Sequence, residues 1–341
     1  MTDSPLNRLI PATSLEEIAL TLSPEPLTTP AEIKAFYRKE MNDTRGGDKI
    51  ERLKLGLKQS LLQTGYYKAC LMGHPGVGKS TEINKLLNDR DFISKFRAIR
   101  FNILTDLDPI NFNPLDIVLF IIMKIVEETA KVAAKPNDEI LQKLWDWFST
   151  EEITQIKNRD STIQGQAGAG IQEDSPWSKM LGLFASVKGE FRYASSREKK
   201  IVEYRFCRLN ELIIIVNQLL DDCHQSLEKK LPNKCQWLVI GENFDKSGVS
   251  IEALKDLFIN YNNLIKDLNV HLIFTIPIGL YNSSEAIRLA FPPERCLIVP
   301  DSAVFLKDKQ SNPQGRNALK KVLETRVNLN LFTDGQMERV I

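Results

Sequence analysis

The stretch YYKACLMGHPGVGKSTEINKLL, Tyr66 to Leu87, decides how the rest of the chain is read. Its apolar, strand-like run (Tyr66–Met72) stops at a glycine-rich segment carrying a lysine and two hydroxyls; Ile83, Leu86 and Leu87 then recur at helical spacing. Gly73, His74, Pro75, Gly76, Val77, Gly78, Lys79 and Ser80 fit G-x-x-x-x-G-K-[ST], and Thr81 follows. Glycines allow the tight turn that points successive backbone N–H groups inward, and the positive end of the helix starting near Lys79 adds to the field. The product is a phosphate cradle in which Lys79 reaches the β- and γ-phosphates of a nucleotide and the Ser80 hydroxyl completes a Mg²⁺ shell. A nucleoside triphosphate with Mg²⁺ is therefore the expected ligand.

The bulk numbers exclude several classes. The chain has 341 residues, 43% of them hydrophobic and 26% charged, which suits a globular protein with a full-sized core. Its 45 basic residues against 44 acidic ones create no global field for nucleic acid or anionic membrane. Cys70, Cys207, Cys223, Cys235 and Cys296 show no metal-site spacing and read as free thiols in a reducing compartment. The N-terminus lacks the charged-then-apolar pattern of a signal peptide. The most apolar run, Leu115–Val126, is too short to span a bilayer. A cytoplasmic protein with no membrane association is expected.

Downstream, strand-like and helix-like segments alternate. Phe96–Leu104, Cys235–Asp245, Val270–Pro277 and Arg295–Pro300 read as strands. Pro114–Ala133, Ser250–Leu268 (N-capped by Ser250) and the segment SSEAIRLAF read as helices. With Tyr66–Met72 this makes an α/β chain whose five parallel strands are covered by helices. Ligands of such sheets sit beyond the carboxyl ends of the strands. The glycine loop, Glu242–Asp245 and Thr275–Pro277 all lie at such ends and are expected to converge.

A helical insertion separates the second and third strands. Its QGQAGAGIQEDS string has no apolar periodicity and reads as loop. Its last helix, about Ser196–Lys230, carries a heptad stripe: Val202, Phe206, Leu209, Ile213, Val216, Leu220, Cys223 and Leu227. Packing within the chain is the simpler reading, and docking of a protein partner or a second copy the sharper one. The entry to this helix, Lys188–Arg208, interleaves basic and aromatic residues. Such stretches can track nucleic acid, but a solvated helix face is the favoured reading.

With these elements in order, the chain resembles an AAA-type P-loop ATPase, and more narrowly the STAND signal-transduction ATPases, which often read GhxGxGKST followed by hhhhDxhD. The counterparts are GHPGVGKST (Gly73–Thr81) and LVIGENFDK (Leu238–Lys246), with LIFTIP as the first sensor strand and Thr44–Leu61 as the segment near the adenine. The resemblance implies residues 1–33 as an N-terminal extension, 34–133 and 234–305 as two parts of a P-loop NTPase core, 134–233 as the insertion and 306–341 as a partial helical lid. It also implies an ATPase in which Lys79, Glu242, Asp245 and Thr275 are catalytic and Ser80 and Glu242 hold the metal. Two registers stay open. On D-x-x-D spacing Glu242 replaces the metal-binding Asp and Asp245 is the second acid; on hhhhDE spacing Gly241 replaces the Asp and Glu242 becomes the base. Arg288 or Arg295 is the candidate trans-acting arginine. A nucleotide-driven switch is the leading function, against a scaffold that binds ATP with little turnover or a nucleic-acid-associated ATPase. A guanine-binding N-K-x-D motif is absent.

Overall fold

Five strands form one parallel sheet: β1 (Lys68–Met72), β2 (Phe96–Asn102), β3 (Gln236–Glu242), β4 (His271–Thr275) and β5 (Cys296–Ile298), in the order β2-β3-β4-β1-β5. The computed structural model describes residues 9–63, 65–132, 136–148, 209–231 and 235–340. β1 and β4 are buried at every residue, as strands covered on both faces must be, which is why they read as largely apolar runs. β2 lies at the sheet edge and alternates instead: Phe96, Ile99 and Phe101 are buried while Arg100 is exposed. The chain steps from β1 away to β2 and then returns through β3 and β4 and past β1 to β5. The direction of travel thus reverses at the edge strand β2.

Two compact units divide the chain: residues 1–59, 71–93 and 296–341, and residues 60–70 and 94–295. The division falls within β1, between Cys70 and Leu71. In the second unit β2 and β3 pair from Phe96↔Gln236 to Asn102↔Glu242, and β3 and β4 from Leu238↔His271 to Gly241↔Phe274. The Pro114–Lys131 helix is fixed at its start by an Asn113 capping box with Asp116, and it buries almost every residue from Pro114 to Val126. The Leu209–Lys230 helix packs against it, against Asp138–Phe148 and against β3. Of the heptad stripe, Leu209, Val216, Leu220, Cys223 and Leu227 are buried, so within the described residues this face is spent inside the chain. Val202 and Phe206, the Lys188–Arg208 entry and the QGQAGAGIQEDS string lie outside the described residues.

Several boundaries move. β2 stops at Asn102 because that residue turns to cap the Ile103–Asp106 helix: its side chain accepts from Leu104 N–H and its own N–H donates to Asp106 Oδ2 at 2.8 Å. The expected Ser250–Leu268 helix is three pieces, Ile251–Lys255, a π-turn at Asp256–Asn260 and Asn262–Lys266. Tyr261 N–H bonds to Asp256 O, adding a residue to one turn. That shift lets Leu254, Phe258, Leu264 and Ile265 all face the core. Ser250 caps the first piece through Ala253 N–H, as expected. The short SSEAIRLAF helix narrows to Ile287–Ala290, and a further helix covers Ile278–Ser283. No helix among the described residues is long and apolar enough to cross a membrane.

Candidate functional site

The glycine loop belongs to the first unit and runs from the carboxyl end of β1 into the Lys79–Leu87 helix. Gly73 has no space for a side chain, since a Cβ would lie 2.3 Å from the Val299 carbonyl oxygen. Gly78, the N-cap of the helix, has φ +96°, a left-handed conformation that side chains resist. No side chain caps this helix. Its first-turn N–H groups have no acceptor within the helix, as at any helix start, and face the loop with the positive end of the dipole. His74, Pro75 and Gly76 are exposed, whereas Val77 and Lys79 are buried. The Lys79 ammonium donates to the Gly73 and His74 carbonyls, both at 2.8 Å. The lysine is thereby folded back over the loop, its charge held by carbonyl dipoles that phosphate oxygens could replace. Ser80 is half-buried at the helix start.

The other side of this helix is covered by the N-terminal segment. The Thr81 hydroxyl accepts from Leu27 N–H at 3.2 Å, so that side chain is turned to the segment while its backbone remains part of the first turn. Farther along, Tyr37 OH donates to Glu82 at 3.0 Å, Asn42 and Lys85 donate to Tyr37 OH, and Lys85 also pairs with Asp48 at 2.7 Å. Burial, with the Glu82 carboxylate beside it, pushes the Tyr37 hydroxyl up to about 12, and burial raises Glu82 as well.

The second unit supplies the residues at the carboxyl ends of β3 and β4. Gly241 pairs in register with Phe101 on one side and Phe274 on the other, and a Cβ on it would lie 2.6 Å from the Phe274 ring. A side chain at position 241 would have to displace the Phe274 ring, so glycine is what the packing accepts there, and the two acid registers both stay open. Side chains alternate between faces along a strand. Glu242 accordingly points to the opposite face, buried, and accepts from Arg100 Nε at 2.7 Å and from its terminal nitrogen. Asn243 then takes φ +66°, a conformation Asn tolerates, and the turn sends Phe244 into the aromatic core before Asp245. Thr275 ends β4, its hydroxyl buried with no hydrogen-bond partner among the described residues.

Arg295 stacks its guanidinium 4.7 Å above the Tyr67 ring, next to the amino-terminal end of β1, whereas the glycine loop leaves that strand's other end. Arg288 lies 3.9 Å from Glu285 on its own helix turn. Arg100, beside Glu242 in the second unit, and Tyr37, Glu82 and the Leu27 segment, on the loop helix in the first, are residues that motif reading passed over. Arg100 carried one signal, a cation in the last turn of an alternating edge strand; the others carried none.

These residues fit a nucleotide and its metal. The glycine loop has no room for a side chain at Gly73, a left-handed Gly78 and an uncapped helix start beside the Lys79 ammonium. No group of three or more metal-ligating side chains forms among the described residues. Mg²⁺ bound with a nucleotide does not need one, because phosphate oxygens and water fill most of its shell. No family model matches the chain, and neither does any curated protein.

Proposed function

We propose that the chain binds ATP with Mg²⁺ through Gly73–Thr81 and acts as a nucleotide-driven switch of the AAA or STAND kind that its motifs resemble. The observation that carries this reading is the Lys79 ammonium, buried and drawn onto the Gly73 and His74 carbonyls above an uncapped helix start. The ammonium donates to main-chain carbonyls of the loop itself, next to first-turn amides of the kind that bind anions at helix starts.

Mg²⁺, when bound, neutralises charge on the phosphates. Lys79 does the same from the protein side, and the loop amides orient the chain of phosphates. Ser80 offers its hydroxyl to the metal. Glu242 is the carboxylate offered to the metal shell, Asp245 the one that orients water, and Thr275 the hydroxyl that senses the terminal phosphate. Phosphoryl transfer depends mostly on such positioning and electrostatics. In this reading the sheet is a P-loop NTPase core, and the C-terminal helices Pro313–Glu324 and Asp334–Val340 are a partial lid. The insertion is the place for a protein partner or a second copy, and the buried thiols Cys223 and Cys235 suit a cytoplasmic setting.

A second reading, a scaffold with little turnover, is favoured by the Arg100–Glu242 pair, which occupies the acid that hydrolysis would use. Phosphate release by wild type, Lys79→Ala and Glu242→Gln separates them. The switch gives release that both substitutions abolish. Tight ATP binding by wild type with its phosphate release at background leaves the scaffold.

A further inference from the structure

The Lys79–Leu87 helix is gripped along one stripe by backbone groups of the N-terminal segment. Thr81, Asn84 and Asn88, spaced three and four apart, stand in a row on its surface. Leu27 is held at both of its backbone groups: its N–H donates to Thr81 Oγ1 at 3.2 Å and its carbonyl accepts from Asn84 Nδ2 at 2.7 Å. The next carbonyl, of Thr28, accepts from Asn88 Nδ2 at 3.0 Å. This is how proteins hold an extended peptide, by its main chain. Here the peptide is the chain's own.

The grip is rigid on the peptide side. Glu32 accepts from the N–H and hydroxyl groups of both Thr28 and Thr29, at 2.9 to 3.1 Å, and closes a capping box on the Pro30–Phe36 helix. Those bonds hold the Glu32 carboxyl below its usual range. At the far end of that helix Tyr37 fastens to Glu82. Upstream, the same arm is pinned elsewhere in the first unit: Ala12 N–H donates to the Arg326 carbonyl and Asn328 N–H to the Ala12 carbonyl, both at 2.8 Å, directly after the Pro313–Glu324 helix. Between the two anchor points, Pro24 and Pro26 stiffen the connection.

We propose that the N-terminal arm, Ala12 to Tyr37, links the glycine-loop helix to the C-terminal helices, with Leu27–Thr28 as its grip and Thr81 as the point where nucleotide occupancy is felt. The inference rests on the nucleotide reading above. Thr81 closes the helix turn whose amides face the loop, and its hydroxyl holds Leu27. Ordering that turn around a nucleotide tightens the grip, and loosening the grip frees the turn. Pulling at Ala12–Asn328 therefore speeds nucleotide release.

Thermodynamic linkage makes the effect reciprocal, so it is read from both sides. In the full chain, hydrogen exchange at the Leu27 amide slows when ATP and Mg²⁺ are added. Release of a fluorescent ATP analogue, followed by stopped flow, speeds about fivefold or more in Asn84→Ala/Asn88→Ala. Ala12→Pro, which removes the N–H to Arg326 at a distance from the loop, gives the same direction of change in folded protein and covers the case in which the double variant misfolds. ATP binding with unchanged Leu27 exchange, or with unchanged release in folded variants, overturns the link and leaves the nucleotide reading intact. Absence of any ATP binding overturns both.

Discussion

Arg100 on β2 holds Glu242 on β3 through its Nε at 2.7 Å and a second guanidinium contact, a diagonal pair two residues from register on one face of the sheet. Glu242 is buried while the Arg100 side chain is 39% exposed, so the arginine can leave and the glutamate cannot. If Glu242 acts on the metal or the water, this pair restrains it. Arg100→Gln is expected to raise steady-state phosphate release several-fold, and Glu242→Gln to lower it by about 10²-fold, the scale of losing a positioned acid or base. A malachite-green assay on both variants checks the pair; a fall in Arg100→Gln would instead make the arginine part of the machinery.

Gly241→Asp, the change that would restore an acid at that position of the motif, is expected to destabilise rather than repair. The new side chain meets Phe274 and Phe101, whose rings also pack on Phe244. Overpacking of this kind costs about 1–3 kcal/mol, and burying an unpaired carboxylate adds to it. Chemical denaturation midpoints of wild type, Gly241→Ala and Gly241→Asp should fall in that order.

The amino-terminal ends of the strands in the second unit hold a buried titratable cluster. His271 Nδ1 accepts from Tyr67 N–H at 2.9 Å and its Nε2 faces Gln236 Oε1 at 2.6 Å; His224 Nδ1 accepts from Trp237 N–H and its Nε2 faces the Asn269 carbonyl. Both rings are thus held neutral. Burial moves His271 down to about 3 and His224 down to about 4. The unfolded chain binds these protons at about pH 6.5 and the folded chain does not, so the contribution is fully present above about 6.5. It is lost as pH falls toward 4 and 3, by about 1.4 kcal/mol per pH unit for each histidine. Urea melts from pH 7 to 4.5 should show a steep fall in stability, and His224→Gln should make it shallower.

Lys68 in the same cluster donates to the Leu268 and Val270 carbonyls, and burial lowers it to about 7. The folded chain releases this proton before the unfolded one does. Stability should therefore rise with pH between about 7 and 10, and Lys68→Met should remove that rise.

How much of this could be read from the residues differs by the range of the interaction. Gly73–Ser80 was legible because strand, turn and helix signals are contiguous. Apolar β1 and β4 were legible for the same reason. The Arg100–Glu242 pair joins residues that only the β2–β3 register brings together, and no local pattern encodes that register. The Leu27 grip was invisible because Ser23–Pro30 has no periodicity and its partners lie on a helix far along the chain. The π-turn at Asp256–Asn260 hides inside a regular amphipathic pattern, since one added residue leaves the apolar spacing nearly unchanged. The crowding that keeps position 241 a glycine belongs to packing and has no local signal.

The central claim is that the Lys79 ammonium and the loop amides hold the phosphates of ATP. Titration calorimetry of the folded chain with ATP and Mg²⁺, set beside Lys79→Ala at the same folded fraction, tests it most directly. The expected result is a one-site isotherm for wild type and a loss of affinity of about tenfold or more in the variant, the scale of a charge-assisted hydrogen bond. An absence of heat in wild type, or identical isotherms for the two proteins, would contradict it.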